Sequence, residues 1–316
     1  MFKKFQPLVA IFTAFALFFS IQTSPAFATA SLTRSVSFLK SKFVGGQFIE
    51  GFTPGKPDWG FSVEAMLQLK GAGVTNASQS KALSYNLTSA TNLGTTEKAV
   101  GFLYAPDRTL LPGRAGEFVF AANVFAVTNT LIYRSTLASL KSQLASTGVI
   151  GKGNSNTFTY GWVALGLAAA KETKLANAVA NQLAALARPD GGFGTDLTGD
   201  TATSAPDATG IALLGLKATE NLGSASEKSK RAAAAVAAIN WLNQNAIGDH
   251  FESWGDIDVN GTAYAVMGLS AWARSATKFV KYLNSRVAGD GGLTTPWSNG
   301  KGDTYATAQG LLALSG

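Results

Sequence analysis

Six segments of the chain end alike: EAMLQL (64–69), ANVFAV (122–127), WVALGL (162–167), IALLGL (211–216), YAVMGL (264–269) and QGLLAL (309–314). Their last residues, Leu69, Val127, Leu167, Leu216, Leu269 and Leu314, recur at intervals of about fifty residues, the period of a repeated supersecondary unit. A repeat constrains the fold strongly, because each unit must bury its apolar face against its neighbours. The repeated segment is the second of two helical patterns in each unit. The first is amphipathic or alanine-rich and is clearest at 35–42, 135–146, 175–187, 232–244 and 276–286, with Phe38-Leu39, Trp241-Leu242 and Tyr282-Leu283 at a common place. Glycine pairs such as Gly45-Gly46, Gly151-Lys152-Gly153, Gly191-Gly192 and Gly291-Gly292 follow these first helices and let the chain reverse.

Counting eleven positions back from each final apolar residue reaches Asp58, Asn156, Asp258 and Asp303, with Gly116 and Ala205 in the other two units. Asp, Asn and Gly are preferred helix N-caps, and at Ala205 the following Pro206 suits a first helical position. Five positions into the helix stand Val63, Ala121, Gly161, Gly210, Ala263 and Ala308, mostly small enough for neighbouring helices to approach closely. The second helices are apolar on most faces, hence buried; the first are more polar, hence outside. Six buried helices ringed by six outer ones predict an all-α fold, an α/α toroid (α6/α6 barrel) of about six helix pairs in one domain, residues 29–316. An open solenoid is the alternative.

A leader precedes it. Lys3 and Lys4, the apolar run Leu8–Ile21, Pro25 and Ala26-Phe27-Ala28 follow the order of a secretory signal peptide, with cleavage expected after Ala28. The run is shorter than the ~20 residues a membrane span needs, so the expected product is secreted, with no membrane span once the leader is removed. The formal charge of +7 is scattered rather than gathered with aromatics, which argues against nucleic acid. Cysteine is absent and His250 is the sole histidine, which excludes disulfides, thiolate nucleophiles and sites needing two imidazoles. No nucleotide loop, serine elbow or metal-binding spacing is present, so neither a cofactor nor a metal is expected.

Certain motifs carry a resemblance. Arg188-Pro189-Asp190-Gly191-Gly192-Phe193-Gly194 precedes Asp207-Ala208-Thr209-Gly210 and ALLGL (212–216). Asp290-Gly291-Gly292-Leu293 precedes Asp303-Thr304-Tyr305-Ala306-Thr307-Ala308 and GLLAL (310–314), and Gly255-Asp256-Ile257-Asp258 precedes Thr262-Ala263. These resemble the repeats of the terpenoid cyclase and protein prenyltransferase toroid superfamily. The resemblance implies the toroid but no single activity. Prenyltransferases of that superfamily hold zinc with Asp, Cys and His, and complement-type relatives form a thioester on cysteine; a chain without cysteine does neither. Class II cyclases use an Asp-x-Asp-Asp acid, of which Asp256-Ile257-Asp258-Val259 lacks the last carboxyl. Cobalamin carriers of the superfamily add a small β-domain, for which the chain has no room.

A closed toroid gathers the N-termini of its inner helices at one mouth, ringed by Asp58, Glu117, Asp207, Asp256, Asp258 and Asp303. These are either plain helix caps or a carboxylate cup; a carboxylate at a helix N-terminus is held charged, which suits binding better than general-acid work. The most variable helix face carries Gly60 and Glu64, Phe118 and Ala122, Phe158 and Trp162, Asp207 and Ile211, Asn260 and Tyr264, and Tyr305 and Gln309. Packing contacts repeat between units and a lumen need not, so this face is expected to line the cavity. The expected ligand-binding set is Glu64, Phe118, Phe158, Trp162, Asp207, Tyr264, Tyr305 and Gln309, with Glu64 the most telling because a buried carboxylate is costly unless paired. The catalytic candidates are Asp256, Asp258, Glu64 and His250, the last flanked by Asp249 and Glu252 in a loop. The leading expectation is an exported, non-catalytic toroid that holds a small molecule, glycan or partner at its mouth. The alternatives are a glycan hydrolase or lyase, for which two carboxylates suffice for hydrolysis, and a cyclase-like enzyme using Asp256 or Asp258.

Overall fold

The computed structural model describes residues 26–74, 102–105, 107–151, 156–195, 203–253 and 255–316. Most of the expected leader and the Lys152-Gly153 turn lie outside these residues. The described elements are α1 (Ala26–Ser41), β1 (Phe43–Val44), β2 (Phe48–Ile49), α2 (Trp59–Gly71), α3 (Pro112–Val124), α4 (Leu131–Ser142), α5 (Thr157–Ala169), α6 (Thr173–Ala185), α7 (Pro206–Ala218), α8 (Ala225–Asn245), β3 (Phe251–Ser253), β4 (Asp256–Asp258), α9 (Val259–Ala271), α10 (Thr277–Ser285), α11 (Thr304–Gly310) and a short 3-10 turn, Leu312–Leu314.

Helices α2, α3, α5, α7, α9 and α11 each pack on the next, and α11 packs back on α2, so the ring closes. The seam is also hydrogen-bonded: Gln68 Nε2 donates to the Gln309 carbonyl (3.0 Å), and the Leu312 amide donates to Gln68 Oε1 (2.7 Å). Helices α1, α4, α6, α8 and α10 form the described part of the outer layer. At the closure, Ser35 Oγ of α1 donates to the Gly291 carbonyl before α11, 2.6 Å away. The fold is the toroid expected from the repeats, with two small additions. Antiparallel ribbons β1–β2 and β3–β4 precede α2 and α9; with strands of two and three residues they carry no periodicity that a sequence reading can detect.

The repeated residues have repeated jobs. Asp58, Asn156, Asp258 and Asp303 each cap an inner helix through a side-chain oxygen that accepts the backbone N–H three residues on. The hydroxyl four residues past the cap then fastens the preceding loop to the helix. Ser62, Thr209, Thr262 and Thr307 accept the backbone N–H of Ile49, Phe193, Phe251 and Leu293, and Tyr160 serves Ile150 in the same way. Buried loop amides are thereby satisfied at nearly every unit. Glycines let the inner helices touch. A Cβ on Gly116 would lie 2.7 Å from the Trp162 backbone, one on Gly161 3.1 Å from the Ile211 carbonyl oxygen, and one on Gly210 2.3 Å from that of Tyr264. Equivalent positions meet equivalent positions, so the inner helices run in one direction and their N-termini share one mouth.

One expected register is wrong. Helix α3 begins at Pro112 with Leu111 as its cap, not at Gly116. The alignment on Val127 is five residues too late, because α3 ends at Val124 and Val127 belongs to the turn beyond it. Counted from the true start, Gly116 falls beside Gly161 and Gly210 at the close-contact position. Glu117, not Phe118, falls beside Glu64.

Candidate functional site

The residues two positions past each inner-helix cap are Gly60, Gly113, Phe158, Asp207, Asn260 and Tyr305, and those six positions past it are Glu64, Glu117, Trp162, Ile211, Tyr264 and Gln309. At 1.5 Å rise per residue the second set lies about 6 Å deeper than the first. The lumen therefore has an upper layer at the mouth and a lower layer beneath it.

The lower layer is charged. Glu117 is fully buried and paired with Arg114 at 2.8 Å, one helical turn before it on α3. Glu64, 8% exposed, faces Arg114 and accepts hydrogen bonds from Gln309 and Tyr264. Burial pushes the Glu64 carboxyl up, with the Asp58 charge adding to it, while Arg114 and the two hydrogen bonds pull it down. Burial also pushes Glu117 up, and the Glu64 charge reinforces the shift against the pull of Arg114. One guanidinium thus stands between two carboxyls, and burial wins at both. Glu64 Oε2 and Glu117 Oε1 are buried without any hydrogen-bond partner. A cavity of about 20 Å³ adjoins Glu64, lined by Gln68, Trp162, Ile211, Tyr264 and Met267 among others. That is room for about one water-sized group.

The upper layer centres on Asp207 in the first turn of α7. Its carboxyl is raised to about 6, first by burial and then by the negative charge of Asp258. The sequence expectation that helix N-termini hold such groups charged fails here: the Ala208 amide donates to it at 2.7 Å, and burial still outweighs that bond. Asp258 is fixed by the Gly261 amide and Ser253 Oγ, each at 2.7 Å. Asn260 donates to Gln309 Oε1 at 2.5 Å, joining the two layers. Phe158 meets Tyr264 edge-on, with ring centroids 5.7 Å apart, and Tyr305 stacks on Phe52 at 5.0 Å and lies tilted on Phe61 at 4.2 Å. The phenol of Tyr264 is pushed well up by burial first and then by the charges of Glu64, Glu117 and Asp207, so it faces all three.

Of the sequence candidates, the structure gathers Glu64, Phe158, Trp162, Asp207, Asp258, Tyr264, Tyr305 and Gln309 at the lumen or its rim. Phe118 does not belong there: it is 1% exposed and packs edge-on against Phe102, 6.4 Å away. His250 also stands apart. Its ring stacks on Tyr282 of the outer helix α10 at 4.7 Å, beside Asp249 and Glu252, in the hairpin before β3. Asp256 is exposed on β4 opposite Ser253. Arg114 was missed, although Arg-x-x-Glu spacing puts both groups on one helix face. Among the described residues no group of three or more acids or histidines is placed to hold a metal ion, and no helix is long and apolar enough to cross a membrane. A larger groove of about 390 Å³ runs between α8 and Trp272. Its buried Arg231 is committed to Asn177, Asn181 and the carbonyls of Thr219 and Leu222, pinning α8 to α6.

No family model matches the chain, and no curated protein matches it. Solved structures do. The unsaturated glucuronyl hydrolase from Bacillus sp. GL1, described as responsible for glycosaminoglycan degradation, superposes with a TM-score of 0.60 at 13% identity, over 91% of this chain and 95% of its own. The type II terpene cyclase MstE from Scytonema gives 0.62 at 13%, over 92% and 97%. An unsaturated glucuronyl hydrolase from Streptococcus agalactiae, in complex with dGlcA-GalNAc6S, gives 0.61 at 10%, over 99% and 97%. At such identities the likeness is one of fold: the chain is an α/α toroid, the architecture it shares with glycan hydrolases and a terpene cyclase alike.

Proposed function

We propose that this chain is an exported glycan-active hydrolase whose proton donor is Asp207. The observation that carries the reading is a carboxyl at the toroid mouth raised to about 6 next to a second, negatively charged carboxylate, Asp258. Two carboxyl groups are the working parts of glycosidic hydrolysis: one protonates the leaving oxygen, the other activates water or steadies the oxocarbenium-like transition state. The surroundings suit a sugar. Asn260 and Gln309 offer amide groups to hydroxyls, and Phe158, Tyr264 and Tyr305 offer ring faces and edges. A rim that only capped helices would have no use for an acid held partly protonated near neutrality. The glycan-degrading fold neighbours support the choice of scaffold. A cyclase reading fits less well: the cavity below the mouth takes about one water.

Export rests on Lys3, Lys4, the Leu8–Ile21 run and Ala26-Phe27-Ala28, and N-terminal sequencing of the product from culture medium tests cleavage after Ala28. The activity is tested by incubating purified protein with a panel of neutral, acidic and amino-bearing oligosaccharides and following reducing ends. Asp207→Asn is expected to lower kcat by about 10²–10⁴-fold, the range of general acid catalysis. Equal turnover by Asp207→Asn would refute the assignment.

A further inference from the structure

We propose that the glycan taken at this mouth bears a free amino group, held as its ammonium by Glu64 in the lower layer of the lumen. The inference rests on the glycan-active reading and names its substrate class.

Three independent features point to it. The first is the sign of the charge. Asp58, Glu64, Glu117, Asp207 and Asp258 converge on the lumen, and Arg114 is the one cation that the described residues set among them. Arg114 is already bonded to Glu117. A uronate carboxylate entering here would find no free cation to meet it, whereas an ammonium finds carboxyl oxygens to accept its hydrogen bonds. The second is an orphaned acceptor. Glu64 Oε2, on the cavity wall, is buried and unpartnered, so a donor is what this point of the floor lacks. A buried carboxylate oxygen left bare is costly, and an ammonium brings three donors to it. The third is size. The cavity of about 20 Å³ beside Glu64 is walled by Gln68, Trp162, Ile211, Tyr264 and Met267. A volume for about one water admits an ammonium and excludes an N-acetyl, carboxylate or sulfate group. Tyr264 borders this cavity and is also close enough to Asp207 to feel its charge, so one side chain links the cavity to the mouth.

Burial keeps the Glu64 carboxyl raised in the free protein, with Asp58 on α2, Arg114 and Glu117 on α3 and Tyr264 on α9 as the titratable groups around it. An ammonium beside Glu64 favours the ionised carboxyl and opposes the rise that burial causes. Binding therefore tightens as pH rises through the Glu64 pKa, up to the point where the amine itself loses charge.

The test is titration calorimetry with the full-length secreted protein and four probes: a glucosamine tetramer, its N-acetylated counterpart, an unsaturated uronyl disaccharide and spermidine. The expected result is at least tenfold tighter binding of the glucosamine tetramer than of the other three. In Glu64→Gln, which keeps the shape, the preference for amino over N-acetylated tetramer is expected to collapse to within about twofold. If that variant fails to fold, the wild-type ranking still decides. Tighter binding of the N-acetylated or uronyl probe overturns the inference, and hydrolysis of that probe would leave the glycan-active reading standing. Spermidine binding as tight as the tetramer assigns the site to a polyamine and overturns it as well. Failure of every glycan both to bind and to be cleaved overturns the inference and the reading beneath it.

Discussion

Asp207→Asn tests the central electrostatic claim without any substrate. The folded protein raises this carboxyl from 3.8 to about 6. A shift of about 2.2 units corresponds to about 3 kcal/mol, at about 1.4 kcal/mol per unit. Because the fold prefers the protonated form, Asp207 contributes stability that is fully present below its unfolded value of 3.8 and is lost as pH rises through about 6. Wild type should thus forfeit about 3 kcal/mol from this one group between about pH 4 and about pH 7, while an amide, neutral throughout, forfeits nothing. Other carboxylates titrate in both proteins and cancel in the difference. The assay is urea unfolding of both proteins at about pH 4, 5, 6, 7 and 8, with the stability gap plotted against pH. The gap should move in favour of Asp207→Asn by about 3 kcal/mol, with its midpoint between the two pKa values. A gap that stays flat within about 0.5 kcal/mol would mean that Asp207 is an ordinary rim carboxylate, and the proton-donor assignment would fall with it.

Other substitutions probe the ring and the mouth separately. Gly210→Ala places a Cβ 2.3 Å from the Tyr264 carbonyl oxygen, so helices α7 and α9 must part; a loss of about 3 kcal/mol or more is expected in chemical unfolding, whereas Gly289→Ala, with nothing within 4 Å, should change stability by less than about 0.5 kcal/mol. Asp258→Ala removes a helix cap at a cost of about 1 kcal/mol. It also removes the second cause of the Asp207 shift, so the Asp207 carboxyl should titrate at a lower pH by NMR. Arg114→Met strands Glu117 and should cost about 3–5 kcal/mol. Combining it with Glu64→Leu and Glu117→Leu should restore wild-type stability or exceed it while abolishing glycan binding, because a buried ion cluster is weak evidence of stability.

The fold was legible because the repeated residues do repeated physical work. Caps such as Asp58 and Asp303, loop fasteners such as Thr209 and Thr307, and contact glycines such as Gly161 and Gly210 are needed wherever an inner helix meets its neighbour, so they recur at fixed offsets. The register failed in the one unit where those marks are replaced. Leu111 offers no side-chain cap, and Ala115 stands where other units place a hydroxyl or Tyr160. Aligned on its apolar end, that helix set Glu117 at the mouth instead of beside Glu64 and brought Phe118 forward. Pro112 at the first helical position and Gly116 four residues later would have corrected it. The charge state of the site was not legible at all. Whether Asp207 behaves as a cap or an acid depends on how deeply Pro206–Ala218 sets it among Phe158, Tyr264 and Asp258, which are distant in sequence.

Lumen composition distinguishes the roles. Six helices held this close by glycine leave a narrow axis, and stability alone would fill it with apolar side chains, as Trp162 and Ile211 do in two units. The other four units contribute Glu64, Glu117, Tyr264 and Gln309, and a fifth polar group, Arg114, reaches the same layer. Each buried polar atom without a partner costs about 1–3 kcal/mol, and two carboxylate oxygens here have none. Their positions coincide with the floor of the mouth where Asp207 is held near neutral proton affinity. Buried polar groups that oppose folding, confined to one layer, are the part of this lumen that the demands of the repeat do not explain.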